Sequence, residues 1–259
     1  PPSPTPSPPP TPGRIVRSSG DYDGDERSDV ALYRPGAGLW MIRALTTFAF
    51  GRNGDLPAPA DYDGDTLVNE AVFRGEAGLW AISGITRFYF GANGDQPVPA
   101  DYDGDGTVDP AVCRSAQWYW SARGITSFVY GAAGDFPLPD DYDGDGTAEA
   151  AVYRPAIGGW LVRGGERNYF GASGDSPLRA DIFGEGVSRS GVFRPASGLW
   201  AFAGATRFCF GRRGDVPVVL QADGGPEEAA AVFRPGDGLW AIRGRSLFYY
   251  GSWGDVPVS

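Results

Sequence analysis

The sequence predicts an all-β fold, a six-bladed β-propeller built from 40-residue repeats. Three observations carry this expectation. Trp40, Trp80, Trp120, Trp160, Trp200 and Trp240 recur every 40 residues. Arg34, Arg74, Arg114, Arg154, Arg194 and Arg234 keep the same step. So do Asp55, Asp95, Asp135, Asp175, Asp215 and Asp255, each ending a Gly-x-x-Gly-Asp turn. The copies run from about residue 20 to the end of the chain without slippage. No helical periodicity is present.

The first element is a proline-rich arm, residues 1–13, and the propeller takes residues 14–259. The arm reads PPSPTPSPPPTP over its first twelve residues, a composition suited to polyproline II. At 3.1 Å per residue it would span roughly 37 Å. Ser3, Thr5, Ser7 and Thr11 are its candidate O-glycosylation sites, and the chain has no Asn-x-Ser/Thr sequon. The arm is expected to be a linker or a glycosylated stalk. If it docks on the next propeller, that head-to-tail contact does not close and builds a filament.

Residues 91–131 show how one repeat is divided. GANGDQ reads as a turn, PVPA as a short extended run and DYDGDGTVD as a polar loop. AVCR and WYWSA are strands, and after Gly124 comes a last strand in ITSFVYG. Four short strands per repeat make a sheet that reads as apolar on both faces, with Phe88 and Phe90 on one side and Tyr89 on the other. Each recurrent Trp would bury about 150–250 Å², worth roughly 4–6 kcal/mol gross before entropy. Repeats stacked around an axis cover both faces of every sheet, and a closed ring leaves only short edges. An open solenoid would need polar end caps, which the sequence lacks. VPVS at residues 256–259 aligns with the first strand of a blade and is expected to complete the blade begun at the N-terminus. RIVRS at residues 14–18 is the competing candidate for that place. The recurrent Arg is expected to pair an Asp of the same or the next blade through its planar fork.

Bulk composition narrows the function. The chain has 259 residues, is 42% hydrophobic and 14% aromatic, and holds 40 Gly and 23 Pro, which suits a large core with many turns. It has no apolar run of eighteen residues that would serve as a membrane span. It starts without an initiator Met or a leader pattern and is expected to be a mature or excised product. Every basic residue is arginine, and the net charge of −10 argues against nucleic acid as a partner. The chain contains no His, which excludes Ser-His and His-metal catalysis. Cys113 and Cys209 stand in different, non-adjacent repeats and are expected to be small buried side chains rather than a disulfide.

The acidic residues gather in short loops. Asp101, Asp103, Asp105 and Asp109 occupy positions 1, 3, 5 and 9 of one loop, with Gly106 at position 6. Alternate carboxylates on a tight loop converge on one point, and Ca²⁺ wants six to eight oxygens. The carbonyl of Thr107 is the expected backbone ligand. Mg²⁺ suits the loop less, because it keeps its waters and takes few protein ligands. Asp141, Asp143, Asp145 and Glu149 repeat the pattern almost completely. Asp21, Asp23, Asp25 and Asp29 repeat it with Glu26 in place of the glycine. Asp61, Asp63 and Asp65 end in Asn69 and have Thr66 there. The fifth loop, Asp181-Ile-Phe183-Gly-Glu185, carries Arg189 at position 9, and the sixth keeps only Asp223. Three or four Ca²⁺ ions are expected, with none in the last two blades. A lone Asp-Gly-Asp would be only an Asp-capped turn; four near-copies at one nine-residue spacing favour metal.

DYDGDGTVDPAVCR and DYDGDERSDVALYRPGAGLW resemble the repeats of FG-GAP and VCBS-type propeller proteins. The loops also resemble the calcium hairpins of integrin α-subunit propellers. The likeness covers residues 20–259; this repeat is short for the family, and two loops depart from its pattern. The resemblance implies that the loop joins the first and second strands of a blade. It also implies an extracellular role in calcium-dependent adhesion, recognition or scaffolding. The arm is similar to hydroxyproline-rich cell-wall glycoproteins of plants and green algae, and to linkers of bacterial secreted proteins.

The expected function is therefore a non-enzymatic structural or adhesive calcium-binding propeller, placed outside the cell or at its surface. Self-association through the arm would make it a filament or matrix subunit. The alternative is a carbohydrate-binding module, with aromatics beside polar turns. An enzyme fits less well, because the loops account for nearly all clustered carboxylates and no sialidase-type Ser-x-Asp-x-Gly box is present. Arg213-Gly214-Asp215 spells an integrin-binding tripeptide, but it lies within the regular Gly-x-x-Gly-Asp turn.

Overall fold

The computed structural model describes residues 20–258. The arm, its four glycosylation candidates and RIVRS lie outside the described residues. Among the described residues, 24 strands form six four-stranded antiparallel sheets, which are the six blades. Blade 2 shows the plan: β4 (Leu56–Pro57), β5 (Ala71–Arg74), β6 (Leu79–Ile82) and β7 (Thr86–Tyr89) pair in sequence order. Blade 1 differs in origin. Its inner strand is β24 (Val256–Pro257), which pairs β1 (Ala31–Arg34) with Leu32 opposite Pro257 and Tyr33 opposite Val256. The C-terminal segment thus closes the ring, as VPVS was expected to.

The closure is complete in the core as well. In each blade the recurrent Trp is at most 1% exposed. It packs with the residue seven positions before it and with an aliphatic residue of the next blade. Phe73 and Trp80 meet Val112 of blade 3, and Phe233 and Trp240 of blade 6 meet Leu32 of blade 1. Burial of these rings between sheets is the main force holding neighbours together. Arginines add to it across blades, with Arg43 over the Phe248 ring at 4.2 Å and Arg163 over Phe128 at 4.0 Å.

Three sequence expectations are corrected. Inner strands are shorter than four residues in blades 1 to 4, down to two in Leu56–Pro57. Each inner strand holds a Pro, from Pro57 to Pro257, and a residue without an N–H suits an edge facing the axis. Tyr89 is 76% exposed, so the outer strands are not covered on both faces. Sheets radiating from an axis diverge with distance, and the outermost strand loses its neighbour. Cys209 sits on such a strand, β19 (Arg207–Cys209), and is exposed, while Cys113 is buried. Both are free thiols, and burial pushes Cys113 up to about 12.

The inner strands line an axial channel of 690 Å³. Most of its wall is Pro, Val and Ala, with Asp140 and Arg179 paired at 2.6 Å on one side.

Each recurrent Arg holds the Asp of its own sheet. The six Nε–Oδ1 distances lie between 2.6 and 2.8 Å. The second Asp oxygen accepts from Nη2 as well, at 2.8 Å for Arg74 and Asp55. These carboxylates are buried, and each also ties its own turn, as when Asp95 Oδ2 accepts from Ala92 N at 2.8 Å. Asp215 of the Arg-Gly-Asp tripeptide is one of them, buried against Arg234.

Candidate metal centres

In blades 2 to 6 the acidic loop joins the first and second strands; in blade 1, whose first strand is the C-terminal β24, loop 1 leads into β1 instead. Loop 3 spans residues 101–109, between β8 (Asp95–Pro97) and β9 (Ala111–Arg114). Its neck is closed by a bridge between Ala100 and Asp109. The first Asp curls the loop: Asp101 Oδ1 accepts from Gly104 N at 2.7 Å and Oδ2 from Gly106 N at 2.9 Å. Asp21, Asp61 and Asp141 bond the fourth and sixth N–H of their own loops in the same way. The ninth residue fixes the other end. Asp29, Asn69, Asp109 and Glu149 accept from the N–H of the tyrosine at position 2, at 2.7–2.9 Å.

This curl gathers oxygens. Asp21, Asp23 and Asp29 each bring a carboxylate oxygen within 4.8 Å of the others. The same holds for Asp61, Asp63 and Asp65, for Asp101, Asp103 and Asp109, and for Asp141, Asp143 and Glu149. The position-5 residues Asp25, Asp105 and Asp145 stand outside these triads. They accept from the N–H of position 7, at 2.9, 2.8 and 2.8 Å, as does Asp65, at 2.9 Å, from within its triad. Thr107 also donates its hydroxyl to Asp105, which holds that carboxyl below its ordinary range. In loop 2, Asp65 joins the triad, and Asn69 stands at position 9.

The donor set fits a hard cation. Every gathered side chain offers carboxylate oxygen, which suits Ca²⁺ or Mg²⁺ rather than a soft metal. Three ninth-position carboxyls are partly buried beside three others. Burial first, then the neighbouring Asp charges, raises Asp109 to about 6 and Glu149 to about 7, and raises Asp29. The tyrosine N–H bond opposes the shift in each case. An ion would take the place of the proton these groups otherwise retain.

The two degenerate loops hold a cation of another kind. In loop 5, Asp181 still curls the backbone, accepting from Glu185 N at 3.0 Å and Gly186 N at 2.6 Å. Arg189 reaches back to Glu185 at 2.8 Å and lies over the Phe183 ring at 4.8 Å. In loop 6, Asp223 at position 3 pairs Arg245. Arg189 was visible in the sequence at position 9. Arg245 was not, since it comes from the distant turn before β23 (Leu247–Tyr249).

No protein-family model matches the chain, and no curated protein matches it in sequence.

Proposed function

We propose that this chain is a non-enzymatic structural or adhesive propeller, stiffened by three or four Ca²⁺ ions and working outside the cell. The observation that carries the reading is the set of four oxygen triads, repeated at one loop position in adjacent blades. Four divalent ions bring eight positive charges to a chain of net charge −10. Loops of this kind filled by an ion fix the backbone between strands and serve rigidity rather than turnover. Calcium at the millimolar level found outside cells suits even weak sites of this class. The arm, with its Ser-Pro and Thr-Pro steps, joins one subunit to the next in a filament or matrix.

Elemental analysis of the dialysed chain tests the metal, with a count of three or four calcium ions expected and a count of zero sinking the reading. Replacing Asp103 by Asn should remove one ion. Imaging of the native material tests the assembly: filaments support it, and a monodisperse monomer contradicts it.

A second reading, a carbohydrate-binding module, has its own support. Tyr89, Tyr169 and Tyr249 expose their rings on the outermost strands, and Trp253, in the turn before the closing strand, is 81% exposed. A glycan array run with and without calcium separates the two readings.

A further inference from the structure

The six loops are tied to one another around the whole ring. The first residue of each loop gives its carbonyl to the N–H of the eighth residue in the next. Val68 N donates to Asp21 O at 2.8 Å, Val108 N to Asp61 O at 2.8 Å, and Ala148 N to Asp101 O at 2.6 Å. Ser188 N to Asp141 O, Glu228 N to Asp181 O and Ser28 N to Gln221 O complete the circle at 3.0, 3.0 and 2.7 Å. A second contact runs the same way. A β-carbon placed on Gly64 would lie 2.9 Å from Thr107 Cγ2, one on Gly104 would lie 3.0 Å from Thr147 Oγ1, and one on Gly144 would lie 2.9 Å from Val187 Cγ2. The seventh residue of one loop therefore rests on the fourth residue of the loop before it.

These contacts fall on the atoms an ion would set. Position 1 supplies a carboxylate, position 7 a carbonyl, and position 8 lies between that carbonyl and the position-9 carboxylate. An ion that draws one loop together fixes the carbonyl to which the next loop's N–H must point. The next ion then has less backbone left to order, which couples the sites without any change of fold. At the other two places in the circle, Arg189 pairs Glu185 and Arg245 pairs Asp223. A tethered guanidinium there supplies charge of the sign that a metal ion would bring, and chelators do not remove it.

We propose that loops 1 to 4 take up their ions as a coupled set, bounded by two loops in which arginine pairs an acidic side chain. This rests on the calcium reading above. Calcium titration of the full chain against a competing fluorescent chelator tests it, with circular dichroism at saturating calcium as the check on folding. The expected curve is steeper than independent sites allow, with a Hill coefficient of about 2 or more. D23N removes an end loop and leaves three contiguous ones, whereas D103N removes an inner loop and isolates loop 4. The steeper curve should belong to D23N. Four ions bound with a Hill coefficient of 1, or superimposable curves for the two variants, overturn the coupling and leave the calcium reading standing. A chain that binds no ion overturns both. Should D103N fail to fold, the full-chain curve still decides.

Discussion

Thr66 and Glu26 occupy a loop position that asks for glycine. Their φ angles are 77° and 65°, where Gly106 and Gly146 have 91° and 96°. A β-branched residue in the left-handed region is strained, by roughly 1–2 kcal/mol. Thr66→Gly should therefore raise stability by about 0.5–1 kcal/mol net of glycine's entropy, read by urea denaturation in saturating calcium. The ninth-position carboxyls make a second prediction. Asp109 and Glu149 titrate near 6 and 7, above the ordinary carboxylate range of about 4. The folded chain without ions then holds more protons than the unfolded chain between roughly pH 4 and pH 7, so this contribution to stability falls as pH rises through that window. Melting in chelator should move upward as pH is lowered from 8 to 5, and calcium binding should weaken over the same range. At this scale the sequence showed the ligand types but not their geometry. Asp105 is a ligand by spacing; in the structure its Oδ1 accepts from Thr107 N and Oγ1, and it stands outside the triad of Asp101, Asp103 and Asp109. That choice depends on side-chain rotation, which spacing does not encode.

Strands and loops were mostly legible, because the 40-residue step marks each element six times. The loop between first and second strands, the buried Trp and the Arg–Asp pairs all stand where the repeat put them. The exposed outer strands were not legible, since the alternation of Phe88, Tyr89 and Phe90 looks the same whether or not a neighbouring sheet is near. Divergence of the blades decides it. Ring closure was read from four residues and carries its own prediction. Arg34 grips Asp255 at 2.6 Å and so ties the last strand to the first blade. Arg34→Ala leaves Asp255 buried without its partner, costing about 3 kcal/mol and lowering Tm by roughly 6–12 °C. Arg114→Ala removes the same pair inside blade 3 without freeing a chain end, and its Tm should fall less. Equal losses in the two melts would mean that the closing strand holds without its arginine.

The molecule as a whole is a ring divided by how its loops are held. Four adjacent blades gather carboxylates, and two meet their acidic groups with arginine. The division was visible in the sequence as missing aspartates and as Arg189, but Arg245 beside Asp223 and the circle of hydrogen bonds appear only in the folded ring. Its consequence is a stability that depends on calcium. An ion in hundredfold excess over its Kd stabilises by about 2.7 kcal/mol per site. At roughly 2–4 °C per kcal/mol for a chain of this size, three or four sites together should be worth more than about 15 °C. The direct test is thermal melting of the full chain in millimolar calcium and in EDTA. Tm should be lower in EDTA by well over ten degrees and be restored when calcium is added back; superimposable melts would mean that the loops hold no stabilising ion.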